Sequence, residues 1–223
     1  ARAAAAARRT ADLLRWACRR PPYRPPPEPW ALAARRRNRM LAARLRGPSG
    51  AFAVVTYHMP CLFGEPAKRQ AKAIHAAVLR REALRFAGGG ELVVAGDFNT
   101  KPLDSELGLV HAGALPDDAA RPPPLLGLGL EDLLPPEGGG GLRSAYAAAL
   151  GREPEFTNYA WIKGEPGPFR DTLDYIFVSG GVEVVAAREL PAAEPSEPVY
   201  PSAREPSDHL LLYADIRLPE RSP

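Results

Sequence analysis

An acid and an amide stand two residues apart in the segment GDFNTKP at 96–102. The segment follows the apolar run ELVVA, a pattern that predicts a buried strand ending at a turn. There the side chains of Asp97 and Asn99 can project into one cleft, where a carboxylate orients a water and an amide fixes a phosphate oxygen. Because a GDxN pattern is also typical of a turn in which aspartate caps backbone amides, it indicates hydrolytic chemistry only together with other groups.

The segment TLDYIFVS at 172–179 places a second acid, Asp174, among apolar and aromatic residues. This composition predicts a central strand. An unpaired carboxylate is costly to bury in such a strand, so Asp174 needs a partner. A salt bridge or hydrogen bond to a neighbouring strand would provide one, and so would a place in a catalytic site.

Two histidines lie at predicted strand ends. His209 follows Asp208 in PSDHLLLYADI at 206–216, where the carboxylate can bind a metal or orient the imidazole, and the imidazole can contact a phosphate. His58 closes the run AFAVVTYH at 51–58. A serine and an aspartate before a strand are often turn formers, and a lone strand-end histidine is often structural, so each signal is weak by itself.

The elements that must position these groups alternate between strand and helix. Residues 66–87 begin with proline and repeat apolar positions among cations, which predicts an amphipathic helix that ends at Gly88. The strand predicted at 51–58 precedes this helix, and the strand that ends near Asp97 follows it. Strand, helix and strand in this order predict a layered α/β arrangement.

The remaining segments extend this framework. Residues 38–45 fit a strand or a short helix, and residues 142–151 fit a helix closed by Gly151. Further strands are predicted in EFTNYAWI, DTLDYIFVSG, VEVVAARELP and HLLLYADIRL. Between 112 and 141, DDAARPPP and GGGG predict a surface loop with at most a short helix near 128–134.

The first 37 residues differ in composition from those that follow. An Ala- and Arg-rich run predicts a helix at 5–20, and PPYRPPPEPW at 21–30 predicts a polyproline-like linker. The run is similar to a transit peptide in being rich in Arg and poor in acids, but an Ala-rich helix of an upstream segment is the simpler interpretation. We expect residues 1–37 to lie outside the domain, the domain to span 38–218, and 219–223 to form a tail.

Composition fits one globular domain. The 223 residues are 45% hydrophobic and 25% charged, enough to form a core, while 26 prolines and 20 glycines indicate long irregular connections. A net charge of +3 favours a polyanionic partner only mildly, because an excess of Arg over Lys among many Ala, Gly and Pro also fits GC-rich coding. Cys18 and Cys61 are too few for a disulfide framework, and no run reaches the roughly 20 apolar residues of a membrane span. We expect an intracellular protein that is not inserted in a membrane.

Together these motifs occur in a specific order: a strand with His58, a helix, GDFN, a loop, SAY, FTN, TLDYIF and SDH. The order resembles the endonuclease/exonuclease/phosphatase superfamily, and LRSAY, EFTNY and FRDTLDYIFVS are most similar to its nocturnin-like and related deadenylase subgroup. The resemblance covers residues 38–218. It implies an α/β fold of the DNase I-like type, a two-sheet β-sandwich flanked by helices.

The resemblance also implies catalytic roles for the candidate residues. Asp97 and Asn99 match the residues that position the attacking water and the scissile phosphate. His209 and His58 match histidines that face this phosphate. Asp174 matches the acid that supports the site from the LDYIF strand.

A metal and a substrate follow from the same resemblance. It implies one or two Mg²⁺ or Mn²⁺ ions bound through Asp97, Asn99 and Asp208, and in-line attack of water on a phosphodiester without a covalent intermediate. Phe169 resembles an aromatic residue that stacks on a base, which favours single-stranded RNA as the partner. We therefore expect an RNA 3′ exonuclease of the poly(A) type.

The superfamily pattern also includes an early Asn and a metal-binding Glu, for which this sequence shows no match. Glu28 lies in PPPEPWAL, which is not a β-strand, and Asn38 lies too late in the order. We therefore expect the chain to represent the carboxy-terminal part of the fold without its amino-terminal portion. Three alternatives stay open, namely a catalytically inactive binding or scaffold protein, a lipid or inositol phosphatase, and a DNA nuclease of the same fold.

Overall fold

The computed structural model describes residues 28–135, 140–164, 166–191 and 199–220. Its helices are α1 (Glu28–Arg35), α2 (Pro66–Ala87), α3 (Ser105–His111) and α4 (Ala145–Leu150), with a short 3-10 helix at Glu131–Leu133. Its strands are β1 (Met40–Gly47), β2 (Gly50–Tyr57), β3 (Leu92–Asp97), β4 (Leu142–Ser144), β5 (Asn158–Ala160), β6 (Phe169–Asp171), β7 (Asp174–Ser179), β8 (Glu183–Ala187) and β9 (Ala214–Arg217). Strands and helices are interleaved, as expected of a mixed α/β fold.

A five-stranded sheet in the order β1-β2-β3-β7-β4 forms the centre of the fold. β1 and β2 form an antiparallel hairpin, whereas β2 and β3 are parallel because α2 carries the chain back between them. β7 lies antiparallel between β3 and β4. Two ribbons of two strands, β5–β6 and β8–β9, complete the strands of the described residues. This topology brings the carboxyl end of β3 beside the start of β7.

The two faces of the sheet pack against different layers. On one face, the buried side chains of Val94 and Phe177 share a core with the apolar residues of α2. On the other face, Val93 and Val178 pack with Val184 of the β8–β9 ribbon. Successive residues of a strand point to opposite faces, which explains this division. The central sheet flanked by helices confirms the predicted fold class.

The predicted elements agree with the structure at most positions. The helix at 66–87 has the predicted limits and ends at Gly88, whose φ of 60° is left-handed. The single helix predicted at 142–151 is wrong in its first turn, because 142–144 pair with β7 and the helix starts only after Ser144, whose hydroxyl caps the amide of Ala147. In the described part of 112–141 the only helical turn after α3 is the 3-10 helix. Within the described ranges, no helix has both the length and the apolar character needed to cross a membrane.

Helix α1 begins inside the stretch 21–30, where the sequence predicts a linker. Proline is tolerated in the first turn of a helix, and Pro29 occupies that turn here. Ala33 is buried in the core that α2 shares with the sheet. Helix α1 therefore packs on α2, while the domain boundary at 38 stays a prediction and the helix predicted at 5–20 lies outside the described residues.

Gly96, which precedes Asp97, should not tolerate a side chain. Its φ is 152°, and a Cβ at this position would collide with the carbonyl oxygen of Tyr57 on β2. We expect Gly96→Ala to lower the free energy of unfolding by about 3 kcal/mol, because backbone strain adds to a clash with main-chain atoms. Urea denaturation followed by circular dichroism measures this change.

Gly180→Ala is the matched control for this substitution. A Cβ on Gly180 meets no atom within 4 Å, and its φ is not left-handed. We expect the control to change the free energy of unfolding by less than about 1 kcal/mol. Equal losses in the two variants would contradict the steric argument.

Candidate active site

Two carboxylates face each other across neighbouring strands. Asp97 is the last residue of β3 and Asp174 the first of β7, and the antiparallel register pairs them directly. Paired side chains point to the same face of a sheet, so the two acids lie close together. With His209, each offers a ligand atom within 4.8 Å of the others. Like charges directly opposite each other destabilise a sheet, which indicates that this pair serves function.

The Asp97 carboxylate is held by its own turn. Oδ1 accepts a hydrogen bond from the Asn99 backbone amide at 2.8 Å, and Oδ2 accepts one from Asn99 Nδ2 at 3.2 Å. His58 Nε2 lies 3.3 Å from Oδ2. Burial raises the pKa of Asp97 and the Asp174 charge adds to this rise, although the Asn99 amide opposes it. A raised pKa makes a carboxylate a better proton acceptor, which suits it to general-base catalysis.

Asp174 orients the imidazole of His209. Its Oδ2 lies 2.8 Å from His209 Nδ1 and accepts a second hydrogen bond from Thr157 Oγ1 at 2.7 Å. The hydrogen bond to Asp174 raises the pKa of His209, while burial opposes the rise. With Nδ1 held by Asp174, Nε2 is left to contact a ligand. A charged imidazole in this position can donate a hydrogen bond to a phosphate oxygen.

Asn99 occupies a left-handed backbone conformation, with φ of 46°. Its Nδ2 donates to the Met59 carbonyl at 2.9 Å, and its own carbonyl accepts a hydrogen bond from Lys72 Nζ at 2.9 Å. Lys72 projects from α2 and is buried; burial lowers its pKa, and the Asp104 charge opposes this. Helix α2 thereby fixes the turn that carries Asp97 and Asn99.

A cleft of about 880 Å³ opens over these groups. His58 lines it beside Asp97, with its side chain 70% exposed. Asp208 also lines the cleft and is exposed, but its side chain does not belong to the close group around Asp97. Of the predicted residues, the structure brings together Asp97, Asp174 and His209, joins Asn99 and His58 to Asp97, and leaves Asp208 on the cleft surface.

Aromatic side chains form part of the cleft wall. Phe169 on β6 lies 6.5 Å from Phe63 between ring centroids. Lys101 Nζ lies 5.3 Å from the Phe169 ring centroid and 2.7 Å from Asp171 Oδ2. Trp161 also lines the cleft and is 63% exposed. Aromatic faces combined with cations can stack on bases and contact the phosphates between them.

The family of the chain follows from its sequence and agrees with this geometry. A model of the Endonuclease/Exonuclease/phosphatase family matches residues 4–209. The chain belongs to this family. Enzymes of the family hydrolyse phosphodiester bonds with the help of a divalent metal.

Nocturnin and ANGEL2 are similar to this chain over most of its length. Nocturnin of Drosophila melanogaster is 30% identical over 200 residues, which covers 80% of this chain and 27% of that protein. The human nocturnin catalytic domain with bound sulfate has a TM-score of 0.53 at 23% identity, covering 82% of this chain and 54% of the other. ANGEL2, a 2′,3′-cyclic phosphatase solved with adenosine-2′,3′-vanadate, has a TM-score of 0.58 at 22% identity, covering 83% and 63%. The nocturnin-like subgroup is confirmed, and the chain spans less than two thirds of each relative.

The divalent metal of the family fits the carboxylate pair. Asp97 and Asp174 offer oxygen atoms, the ligands that Mg²⁺ prefers. A cation would also offset the burial and the like charge that raise the pKa of Asp97. Since His209 Nδ1 is bonded to Asp174, carboxylate oxygens would hold the ion. Among the described residues no other group of three potential ligands comes as close, and no glutamate joins this one.

Three residues that support the site, Thr157, Asn158 and Lys72, are not predicted from the sequence. Thr157 Oγ1 donates to Asp174 and accepts from the backbone amides of Leu173 and Asp174. The Asn158 side chain donates to the Asp208 carbonyl at 3.1 Å. Both residues belong to the FTN motif, which signals the family without indicating these bonds. Lys72 gives no signal, because it is one of several cations on α2.

Proposed function

We propose that this chain carries the catalytic carboxylates of a divalent-metal-dependent phosphodiesterase that shortens single-stranded RNA from its 3′ end, with poly(A) as the preferred substrate. The observation that carries the proposal is the close group of Asp97, Asp174 and His209, of which Asp97 and His209 line an aromatic-walled cleft. Within a few ångströms the group would supply a general base, ligands for a cation and a hydrogen-bond donor to a phosphate oxygen. The cleft supplies stacking surfaces for bases.

In the proposed reaction Asp97 orients a water and accepts its proton as the water oxygen attacks phosphorus. Two hydrogen bonds from Asn99 hold the Asp97 carboxylate in a fixed orientation, which suits this role. The bond from phosphorus to the 3′-oxygen of the preceding nucleotide breaks, and this oxygen takes a proton from solvent. His209 donates from Nε2 to a non-bridging phosphate oxygen, and Asp174 keeps the imidazole charged and correctly turned. His58, exposed beside Asp97, contacts the same phosphate from the rim. A bound divalent ion would supply charge neutralisation at the phosphorus centre.

The substrate class is proposed from the cleft wall and the relatives. Phe169 and Phe63 offer aromatic surface for a base, and Lys101, which is paired with Asp171, lies over the Phe169 ring. Two relatives in sequence are nocturnin of Drosophila melanogaster, at 30% identity, and carbon catabolite repressor protein 4 homolog 4 of Arabidopsis thaliana, at 34% identity over 57% of this chain and 27% of that protein. ANGEL2, a 2′,3′-cyclic phosphatase, shares the fold. The aromatic wall of the cleft suits a nucleotide, and the adenosine-2′,3′-vanadate bound to ANGEL2 is also a nucleotide compound.

Removing divalent metal should abolish hydrolysis. We expect the chain to shorten 5′-labelled oligo(A) stepwise in the presence of Mg²⁺ and to leave it intact in EDTA, because two carboxylates near one phosphate repel it without a cation. Denaturing gel electrophoresis follows product length. Oligo(dA), an inositol phosphate and a 2′,3′-cyclic nucleotide are tested in parallel. If the chain hydrolyses any of them faster than oligo(A), the proposal that RNA is the substrate is wrong.

A catalytically inactive binding protein is the second candidate. It is favoured by one observation, that no glutamate joins the two aspartates of the described metal group. Mg²⁺ keeps several waters and binds through one or two carboxylates, so two aspartates can suffice, but with reduced affinity. A folded sample that binds oligo(A) without cleaving it at any Mg²⁺ or Mn²⁺ concentration would establish this candidate.

A further inference from the structure

We propose that a basic segment at residues 35–39, comprising Arg35, Arg36, Arg37 and Arg39 around Asn38, binds the phosphate backbone of a single-stranded polynucleotide outside the catalytic cleft. The proposal rests on the proposed function in one respect, since it treats the cleft as the place where one phosphate of the strand is bound. The basic segment contains none of the proposed catalytic residues. It predicts that long strands bind more tightly than dinucleotides.

The four arginines are free to meet an anionic partner. All four side chains are exposed. Across the described residues, none of them forms an ion pair with an acid, whereas Arg85, Arg152 and Arg217 elsewhere on the surface are each paired with a glutamate. Four cations within five residues, without an acidic partner in the described part of the chain, produce a local positive potential that attracts polyanions.

The basic segment is anchored beside the cleft. Asn38 Nδ2 donates to the His58 carbonyl at 2.7 Å. β1 pairs with β2 from Met40, which lies opposite Tyr57, so Arg39 and His58 are the next residues outward on the two strands. Because His58 lines the cleft, Arg39 lies one strand away from a cleft residue.

Arg36 lies near one cleft residue. Burial and the Asp97 charge raise the pKa of the Cys61 thiol, which lines the cleft, and the positive charge of Arg36 lowers that pKa less strongly. At roughly 3.3–3.6 Å per residue, the three steps from Arg36 to Arg39 span at most about 10 Å, so these arginines can contact two or three neighbouring phosphates of a strand leaving the site.

A single-stranded polynucleotide fits this surface better than other anions. The aromatic wall on Phe169 and Phe63 accommodates bases, and the basic segment begins next to His58 in the same cleft. One continuous strand can therefore use both surfaces, with stacking at the wall and charge neutralisation along the arginines. Arginine binds phosphate in a bidentate manner, which suits a backbone with repeated phosphates.

Binding of labelled oligonucleotides tests the proposal. Fluorescence anisotropy compares the wild-type chain with the triple variant Arg36→Gln, Arg37→Gln and Arg39→Gln on a fluorescein-labelled adenylate dodecamer and dinucleotide, in EDTA so that nothing is cleaved. We expect the variant to bind the dodecamer about 100-fold more weakly at 0.1 M salt, and the slope of log affinity against log salt to fall by about 2, since each single-strand contact contributes about 0.7. Dinucleotide binding should change less than about threefold.

The control variant changes net charge equally away from the cleft. Arg85→Gln, Arg152→Gln and Arg217→Gln remove three exposed arginines, none of which lines the cleft. We expect this control to retain the wild-type salt slope. If both triple variants lost the same affinity for the dodecamer, the loss would be an effect of net charge, and the proposed binding surface would be wrong. Circular dichroism confirms that each variant is folded.

The outcomes separate this surface from the proposed reaction. Tight dodecamer binding that depends on the basic segment, with no hydrolysis in Mg²⁺, would support the proposed binding surface and contradict the proposed reaction. Hydrolysis with an unchanged affinity and salt slope in the Arg36, Arg37 and Arg39 variant rejects the surface alone. A wild-type chain that binds the dodecamer no better than the dinucleotide also rejects it. A deoxyadenylate dodecamer should bind equally well, because arginine contacts phosphate rather than the 2′-hydroxyl.

Discussion

Asp97→Asn should lower kcat/KM for oligo(A) by about 1,000-fold or more, equivalent to about 4 kcal/mol of transition-state stabilisation. Asparagine keeps nearly the same shape and can still accept a hydrogen bond from the Asn99 amide. It removes the negative charge that would hold a cation and accept a proton. Steady-state kinetics in Mg²⁺, with product length followed on gels, measures the loss.

The same substitution should not destabilise the fold. Asp97 is an acid whose folded-state pKa is raised, chiefly by burial, so its ionised form destabilises the folded chain. This penalty is present at pH values above the raised pKa and disappears as pH falls below the unfolded value of 3.8. Asp97→Asn also loses the hydrogen bond that Asp97 Oδ2 accepts from Asn99 Nδ2, a loss of about 1 kcal/mol that offsets the relief of this penalty. The variant should therefore match the wild type in urea within about 1 kcal/mol at pH 7. Loss of activity without loss of stability identifies a functional charge.

Asp118→Asn is the control for this pair of measurements. Asp118 is exposed, and it does not line the cleft. We expect its kcat/KM and its free energy of unfolding to match the wild type. Retention of most activity by Asp97→Asn would show that another group accepts the proton, and the assignment of Asp97 as the base would be wrong.

The local sequence pattern is sufficient to predict the helix and the strand that position Asp97 and Asn99. The helix at 66–87 appears in the structure with the expected limits, and the apolar run before GDFN forms the expected strand, which extends through Asp97 where the sequence predicts that it ends just before. The turn after β3 places Asp97 and Asn99 side by side because a strand end followed by GDFN leaves few other arrangements. These features depend on residues close together in sequence.

The contacts that assemble the site depend on pairing between distant strands. Nothing in TLDYIFVS specifies that Asp174 lies opposite Asp97, since the register is set by packing on both faces of the sheet. Thr157 and Lys72 reach the site through side-chain bonds to backbone carbonyls and amides, which leave no periodic trace in the sequence. The failure at 142–144 has a similar cause, because three residues pair with β7 where local propensity favours a helix.

Asp174→Asn should shift the pH dependence of hydrolysis as well as its rate. The hydrogen bond to Asp174 is the main cause of the raised pKa of His209. In the wild type the charged imidazole therefore persists above the ordinary histidine pKa of 6.5, and activity that needs this charge falls as pH rises through the raised value. In the variant the alkaline limb of the kcat/KM profile should move to lower pH, with about a 100-fold loss at pH 8.

An NMR titration of His209 tests the role of Asp174 independently of catalysis. The imidazole proton resonance of His209 should report a lower pKa in Asp174→Asn than in the wild type, and Asp215→Asn, an exposed acid on β9, should leave it unchanged. Stability follows the same linkage: the contribution of the pair is fully present below pH 6.5 and is lost as pH rises through the raised pKa. The difference in unfolding free energy between wild type and variant should therefore be larger at pH 6 than at pH 9. An unchanged His209 titration in Asp174→Asn would mean that the imidazole is held by other groups, and the proposed positioning role of Asp174 would fail even if the variant were inactive.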